Sequence, residues 1–244
     1  MIRKRSLSFL MFAILGSSTG CAELQDLDLS SILEVAAPLD QSTVARGLKE
    51  ALSVGTRRTT ETLSAAGAFS KNPGLRLKLP GELGTLARVL RGVGFSAQVD
   101  ALEDSMNLAA EEAAANTVPV FASAISSMSI GDAFAILNGA EDSATTYFRD
   151  RTSAQLRDRF SPIAKSAMQQ VGFYSIYREL IARYRQIPFM KPPAIDLEDY
   201  VADQTITALF GELAREEARI RRDPAARSSA LLRRVFGAAQ GTGN

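Results

Sequence analysis

Apolar residues recur at spacings of three and four along almost the whole chain beyond residue 43, and this one period governs what the chain can fold into. Val44, Leu48, Ala51, Leu52 and Gly55 fall on one helical face. Leu83, Leu86, Val89, Leu90 and Val93 form a second stripe, and Val99, Leu102, Met106, Ala109, Ala110 and Ala113 a third. Phe121, Ile125 and Met128 continue the pattern, as do Phe134, Ile136 and Leu137, then Leu156, Phe160, Ile163 and Val171. Ile176, Tyr177, Leu180, Ile181 and Tyr184 line another face, followed by Val201, Ile206, Leu209, Phe210, Leu213 and Ile220, and lastly Leu231, Leu232, Val235 and Phe236. No βαβ unit interrupts the series, so the spacing predicts an all-α fold, a single compact domain of roughly nine or ten helices over residues 43–237.

The punctuation agrees with that period. Asp40 or Ser42 can cap the first helix and Asp196 a late one, while Ser129 with Asp132 and Thr152 with Gln155 have capping-box spacing. Gly92, Gly94, Gly139 and Gly237 read as stops, and Asp223-Pro224 as a cap with a first-turn proline. Pro162 calls for a bend or restart, and Pro188, Pro192 and Pro193 for a stiff connector. Only Leu75, Leu77 and Leu79 alternate, with Arg76 and Lys78 between them; without a partner strand, this reads as a strap laid along the helices. The alanine-rich face from 109 to 115 favours close helix approach.

The N-terminus carries a different signal. Arg3, Lys4 and Arg5 precede an apolar run from Leu7 to Leu15 that is too short to span a bilayer, which is the pattern of a secretory signal peptide, residues 1–20. Small residues lead to Cys21, which looks like the acylated cysteine of a bacterial lipobox, although Ser18 stands where an aliphatic residue is usual. Cleavage after Ala22 is the alternative. Lipidation at Cys21 would anchor the protein stably to a membrane. Ala22 in second place favours the outer one, by resemblance to known lipoproteins. Residues 21–42, interrupted by Pro38, suit a tether, and the glycine-rich end, 238–244, a disordered tail. Loss of three basic groups with the signal turns the formal charge of +1 into −2.

Cys21 is the only cysteine, and histidine and tryptophan are absent, which excludes a Ser-His-Asp triad, a Cys-His pair, a His-bearing zinc site and an intrachain disulfide. No residue pattern calls for a metal or cofactor, and 28 basic against 27 acidic residues give no footprint for nucleic acid. With histidine gone, acid–base work would fall to carboxylates, tyrosine or lysine.

Three polar constellations stand out. Asp104, Asn107 and Glu111 share one helix stripe and read either as a carboxylate pair in a groove or an oxygen-rich cation site, or as a solvated edge or polar bonds tying neighbouring helices. Thr145, Thr146, Tyr147 and Arg149 follow a predicted loop, where a helix start and guanidinium groups could hold a phosphate or carboxylate, the alternative being ordinary capping. Seven arginines against four acids between Glu212 and Arg234 leave Arg221, Arg222, Arg233 and Arg234 as a candidate basic surface for anionic lipid or a partner. Glu217 can pair with Arg221, and Glu212 and Glu216 each with an arginine three residues on. Tyr174, Tyr177 and Tyr184 read as helix packing.

GLKEAL at 47–52, LKLP at 77–80, SMNLAAEEA at 105–113, DAFAILNG at 132–139, TTYF at 145–148, DLEDYV at 196–201 and DPAARSSALLRRVFG at 223–237 together resemble the DUF4197 family of exported bacterial proteins. The resemblance implies a helical domain in the cell envelope and assigns no catalytic or binding residue. The expectation is therefore a non-catalytic periplasmic protein, an outer-membrane lipoprotein whose domain binds an envelope protein or component. A carrier or sensor of an apolar ligand held between helices is the alternative, and a carboxylate-dependent hydrolase using Asp104 or Glu111 a third reading.

Overall fold

Asp40 opens the folded part of the chain, its carboxylate accepting the Thr43 N–H at 2.7 Å and so satisfying the head of helix α1, Gln41–Ser64. The computed structural model describes residues 40–170, 172–186, 196–227, 229–231 and 233–235. The expected signal peptide, Cys21 and nearly all of the expected tether lie outside them, as do the prolines at 188, 192 and 193 and the expected tail. Among the described residues, seven more helices follow α1: α2 Gly81–Gly92, α3 Ser96–Ala115, α4 Val118–Ser127, α5 Ile130–Leu137, α6 Ser143–Gln170, α7 Phe173–Tyr184 and α8 Leu197–Arg222. A 3₁₀ turn at Pro224–Ala226 follows α8, and there is no strand among the described residues.

The count is a little under nine or ten because Pro162 does not divide a helix, and because the predicted last helix, from Asp223-Pro224 to Gly237, falls partly outside the described residues, of which 230, 231 and 233–235 are helical. Thr152, for its part, does not open a helix. The Thr152 hydroxyl donates to the Phe148 carbonyl at 2.6 Å, a bond made inside a helix rather than at its head. Thus α6 runs unbroken from Ser143, and TTYF belongs to its opening turns. Pro162 also lies within α6. It removes one backbone bond, but Phe160 and Ala164 on either side are fully buried, and their packing carries the helix across. The break comes at Gly172, whose φ of 74° is a conformation that side-chain-bearing residues rarely adopt.

Helix α3 is the axis of the domain, packing against α1, α2, α6, α7 and α8. Ala109, Ala110, Ala113 and Ala114 are fully buried in it, and small side chains let several neighbours approach one helix at once. Phe121 of α4 meets Phe148 of α6 at 4.7 Å and Phe210 of α8 at 6.2 Å between ring centroids, which ties α4 to the two long helices through large apolar area. Residues 65–80 cross the bundle without regular structure and form the expected strap. Phe69, Leu77 and Leu79 point into the core. At the far end, Val235 is buried and a side-chain atom at Gly47 would collide with it, so the last described residues close over the start of α1.

Candidate functional site

The first polar constellation is consumed in holding the strap. Asn107, fully buried, takes the Leu77 N–H on its Oδ1 at 2.8 Å and gives an Nδ2 hydrogen to the Leu77 carbonyl at 2.9 Å, so its amide imitates a neighbouring strand. Glu111, also buried, accepts the N–H groups of Gly67 and Phe69, both at 3.1 Å. Asp104 is exposed and meets Arg76 at 2.9 Å, and Arg76 in turn donates to the Ser70 carbonyl. From α8, Tyr200 donates to the Lys78 carbonyl at 3.0 Å. Of the two readings of this stripe, the geometry matches polar bonds between elements. Each Glu111 oxygen accepts a backbone amide and the side chain is buried, so the carboxylate is held by the strap rather than presented in an open cleft.

The second constellation is split among three surroundings. Thr145 turns inward, and its N–H and hydroxyl both donate to Glu217 Oε2, at 2.9 and 2.8 Å, while the Ala144 N–H donates to Oε1 at 3.0 Å. The head of α6 therefore does hold a carboxylate, supplied by α8 of the same chain. Arg221 completes the arrangement, donating to Glu217 at 2.9 Å and to the Ile136 carbonyl at 2.8 Å. Arg149 lies on another side, its guanidinium 5.4 Å from the Phe210 ring centre. Thr146 and Tyr147 face a third environment, the groove described below.

The C-terminal arginines do not form a continuous basic face. Arg221 points into the domain, and Arg222 pairs with Glu141. Arg233 donates to the Arg227 carbonyl at 3.3 Å, and Arg234 also has a partner. The pairs expected from spacing are present at Glu212–Arg215, Glu216–Arg219 and Glu217–Arg221, and Glu216 also meets Arg58 at 3.0 Å. The tyrosines pack: Tyr177 stacks on Phe173 at 5.9 Å, Tyr184 is buried, and Tyr174 donates to Glu198. Burial, with Glu198 beside it, pushes the Tyr174 phenol far above its ordinary range.

Two concavities among the described residues bear on ligand binding. An apolar cavity among Leu48, Leu52, Ile136, Leu213 and Ile220, with Glu217 and Arg221 at its side, measures about 30 Å³. That is room for one or two waters, an order of magnitude below a small-molecule site of roughly 300 Å³ or more. An open groove between α5 and α6 measures about 380 Å³. Ala135, Ile136, Ala140 and Tyr147 give it an apolar floor, and Asp132, Asp142 and Asp150 an acidic rim. Asp132 closes the capping box of α5, and bonds from Ser129 hold its carboxyl below the ordinary range, so it stays ionised. Burial raises the Tyr147 phenol, which keeps it neutral. Asp142 and Asp150 are exposed and make no ion pair among the described residues.

Sequence reasoning grouped Asp142 with Thr146 and Tyr147 and gave Asp132 a capping role, but it did not bring Asp132 and Asp150 to the same groove, and it missed Glu217 as the ligand of the α6 head. One signal for Glu217 was available: it sits four residues after Leu213 on the apolar stripe of α8, where a carboxylate requires a buried partner. Among the described residues no three His, Cys, Asp or Glu side chains gather as metal ligands, and no single helix is long and apolar enough to cross a membrane. Residues 38–237 match the model of a family described as protein of unknown function, DUF4197. No curated protein and no solved structure matches the chain.

Proposed function

The chain belongs to the DUF4197 family, and from that premise we propose that it is a non-catalytic protein of the cell envelope, tethered to a membrane through Cys21, whose helical domain binds a partner protein. The observation that carries this reading is the contrast between interior and surface. Inside, Glu111, Asn107, Glu217 and Arg221 are all committed to backbone partners, and the apolar cavity of about 30 Å³ is too small for a lipid or other carried ligand. Outside, a groove more than ten times larger stands open with three aspartates at its rim. A domain whose polar interior serves its own fold meets other molecules at its surface.

The lipidated form should incorporate radiolabelled or clickable fatty acid, and Cys21→Ser should abolish that label and release the protein from the membrane fraction. Partner binding is tested by placing photo-crosslinking residues around the domain in cells. A discrete protein adduct of fixed mass is the expected result. A stoichiometric bound lipid in native mass spectra, with no protein adduct from any face, would overturn the reading in favour of a carrier.

A further inference from the structure

We propose that the groove between α5 and α6 docks an extended segment of the partner protein that carries two cationic side chains four residues apart, with an apolar one midway between them. This rests on the partner-binding reading above. Thr146 and Asp150 lie four residues apart on α6, and Asp142, four residues before Thr146 in the turn that precedes the helix, is tied to it by the Thr146 N–H to Asp142 carbonyl bond of 2.9 Å. Eight residues at the helical rise span about 12 Å, the backbone separation of Asp142 and Asp150. An extended chain advances about 3.3 Å per residue and turns alternate side chains to one face. Residues i and i+4 of such a segment therefore match Asp142 and Asp150, and residue i+2 falls over Ala135, Ile136 and Ala140.

The wall of the groove already accommodates one cation of this kind. The Arg151 guanidinium lies 5.1 Å from the centre of the Tyr147 ring and 3.8 Å from Asp132, a combination of carboxylate and aromatic face that suits a guanidinium. Asp142 and Asp150 stand beyond it with no such partner among the described residues. Their backbone separation also distinguishes a peptide from a metal ion, since one calcium needs its oxygens within about 2.6 Å. An acidic rim over an apolar floor discriminates against acidic segments by like-charge repulsion, and it gives binding a strong dependence on salt.

The test uses the full mature chain and fluorescein-labelled nonapeptides in low salt, followed by anisotropy. One peptide carries Lys-Gly-Leu-Gly-Lys at its centre, and the control carries Glu in place of both Lys. Saturable binding of the lysine peptide alone is expected, weakened roughly tenfold in the double variant Asp142→Asn/Asp150→Asn. Neither side chain bonds to the fold, so that variant should keep its native circular dichroism. Asp104→Asn removes a charge from a different face and should leave binding unchanged. Arg151→Ala, by freeing Asp132 and Tyr147, should tighten it. Equal binding of the glutamate peptide, indifference to the double variant, or calorimetric binding of calcium alone that the double variant abolishes would each overturn the proposal. A partner crosslinked equally by wild type and double variant would overturn the groove while leaving the partner reading intact. Peptide binding without any cellular adduct would do the reverse.

Discussion

Glu111 and Glu217 are the same residue put to the same use in two settings. Each is a buried carboxylate from a long helix that gathers backbone N–H groups from a segment far away in sequence. Glu111 reaches Gly67 and Phe69 at the start of the strap, where the chain is irregular, and no arginine pairs with it among the described residues. Glu217 reaches Ala144 and Thr145 at the head of a 28-residue helix and is paired with Arg221. At the strap, amides alone offset the desolvation of the charge. At the helix head, aligned peptide dipoles and a guanidinium join them, and the same cation reaches back to α5. The first arrangement fixes one loop, whereas the second fastens three helices at a point.

Removal of each carboxylate should expose that difference. Glu217→Ala takes the carboxylate away from half-buried Arg221 and leaves the first amides of α6 without acceptors, so unfolding should become easier by about 3–5 kcal/mol in urea titrations. A loss under about 1 kcal/mol would mean that water reaches this point freely. The double variant Glu217→Ala/Arg221→Ala should cost less than the two single losses added together, which a double-mutant cycle reads directly. Glu111→Ala leaves two amides unmet with no stranded cation and should cost about 2–3 kcal/mol. Its signature is local: hydrogen exchange should accelerate across residues 67–79 while α6 and α8 stay protected. Acceleration throughout the domain would show that the strap is part of the main cooperative unit.

An exposed cap provides the reference for both buried ones. The Ser42 hydroxyl, with the N–H and hydroxyl of Thr43, holds the Asp40 carboxyl down to about 2, from an ordinary 3.8. Because the folded value is depressed, its contribution is complete above about pH 4 and is lost as pH falls through 2. The gap in urea midpoint between wild type and Asp40→Ala should therefore shrink on acidification, and a gap unchanged at pH 2 would assign the cap to uncharged bonding. Smallest of all, Arg222→Ala breaks only an exposed pair with Glu141 and should move stability by less than about 0.5 kcal/mol.

Much of the fold was legible from local pattern. The apolar stripes, the caps at Asp40, Ser129 and Asp196, and the strap at Leu75–Leu79 depend on neighbours within a few residues, which is the range over which sequence spacing carries information. Thr152 with Gln155 has the spacing of a helix start, yet lies inside α6, because burial of Phe148 and Leu156 outweighs a local preference for a new cap. The polar constellations were seen as groups, but their partners were not. Asn107 meets Leu77 across 30 positions and Glu217 meets Thr145 across 72, and no periodicity links residues so far apart. The groove escaped notice for the same reason: Asp132 and Asp150 belong to different helices that only the tertiary fold brings together.

The bond between Glu217 and the head of α6 also sets an order in time. During synthesis from the N-terminus, Ala144 and Thr145 emerge long before residue 217, at about 5–20 residues per second, so α6 waits several seconds for its acceptor. Until α8 arrives, its first turn depends on water, and the Ile136 carbonyl lacks Arg221. Closure of the bundle is thus reserved for the last third of the chain. A ribosome-bound fragment ending before α8 should hold the strap against α3 while the start of α6 remains frayed.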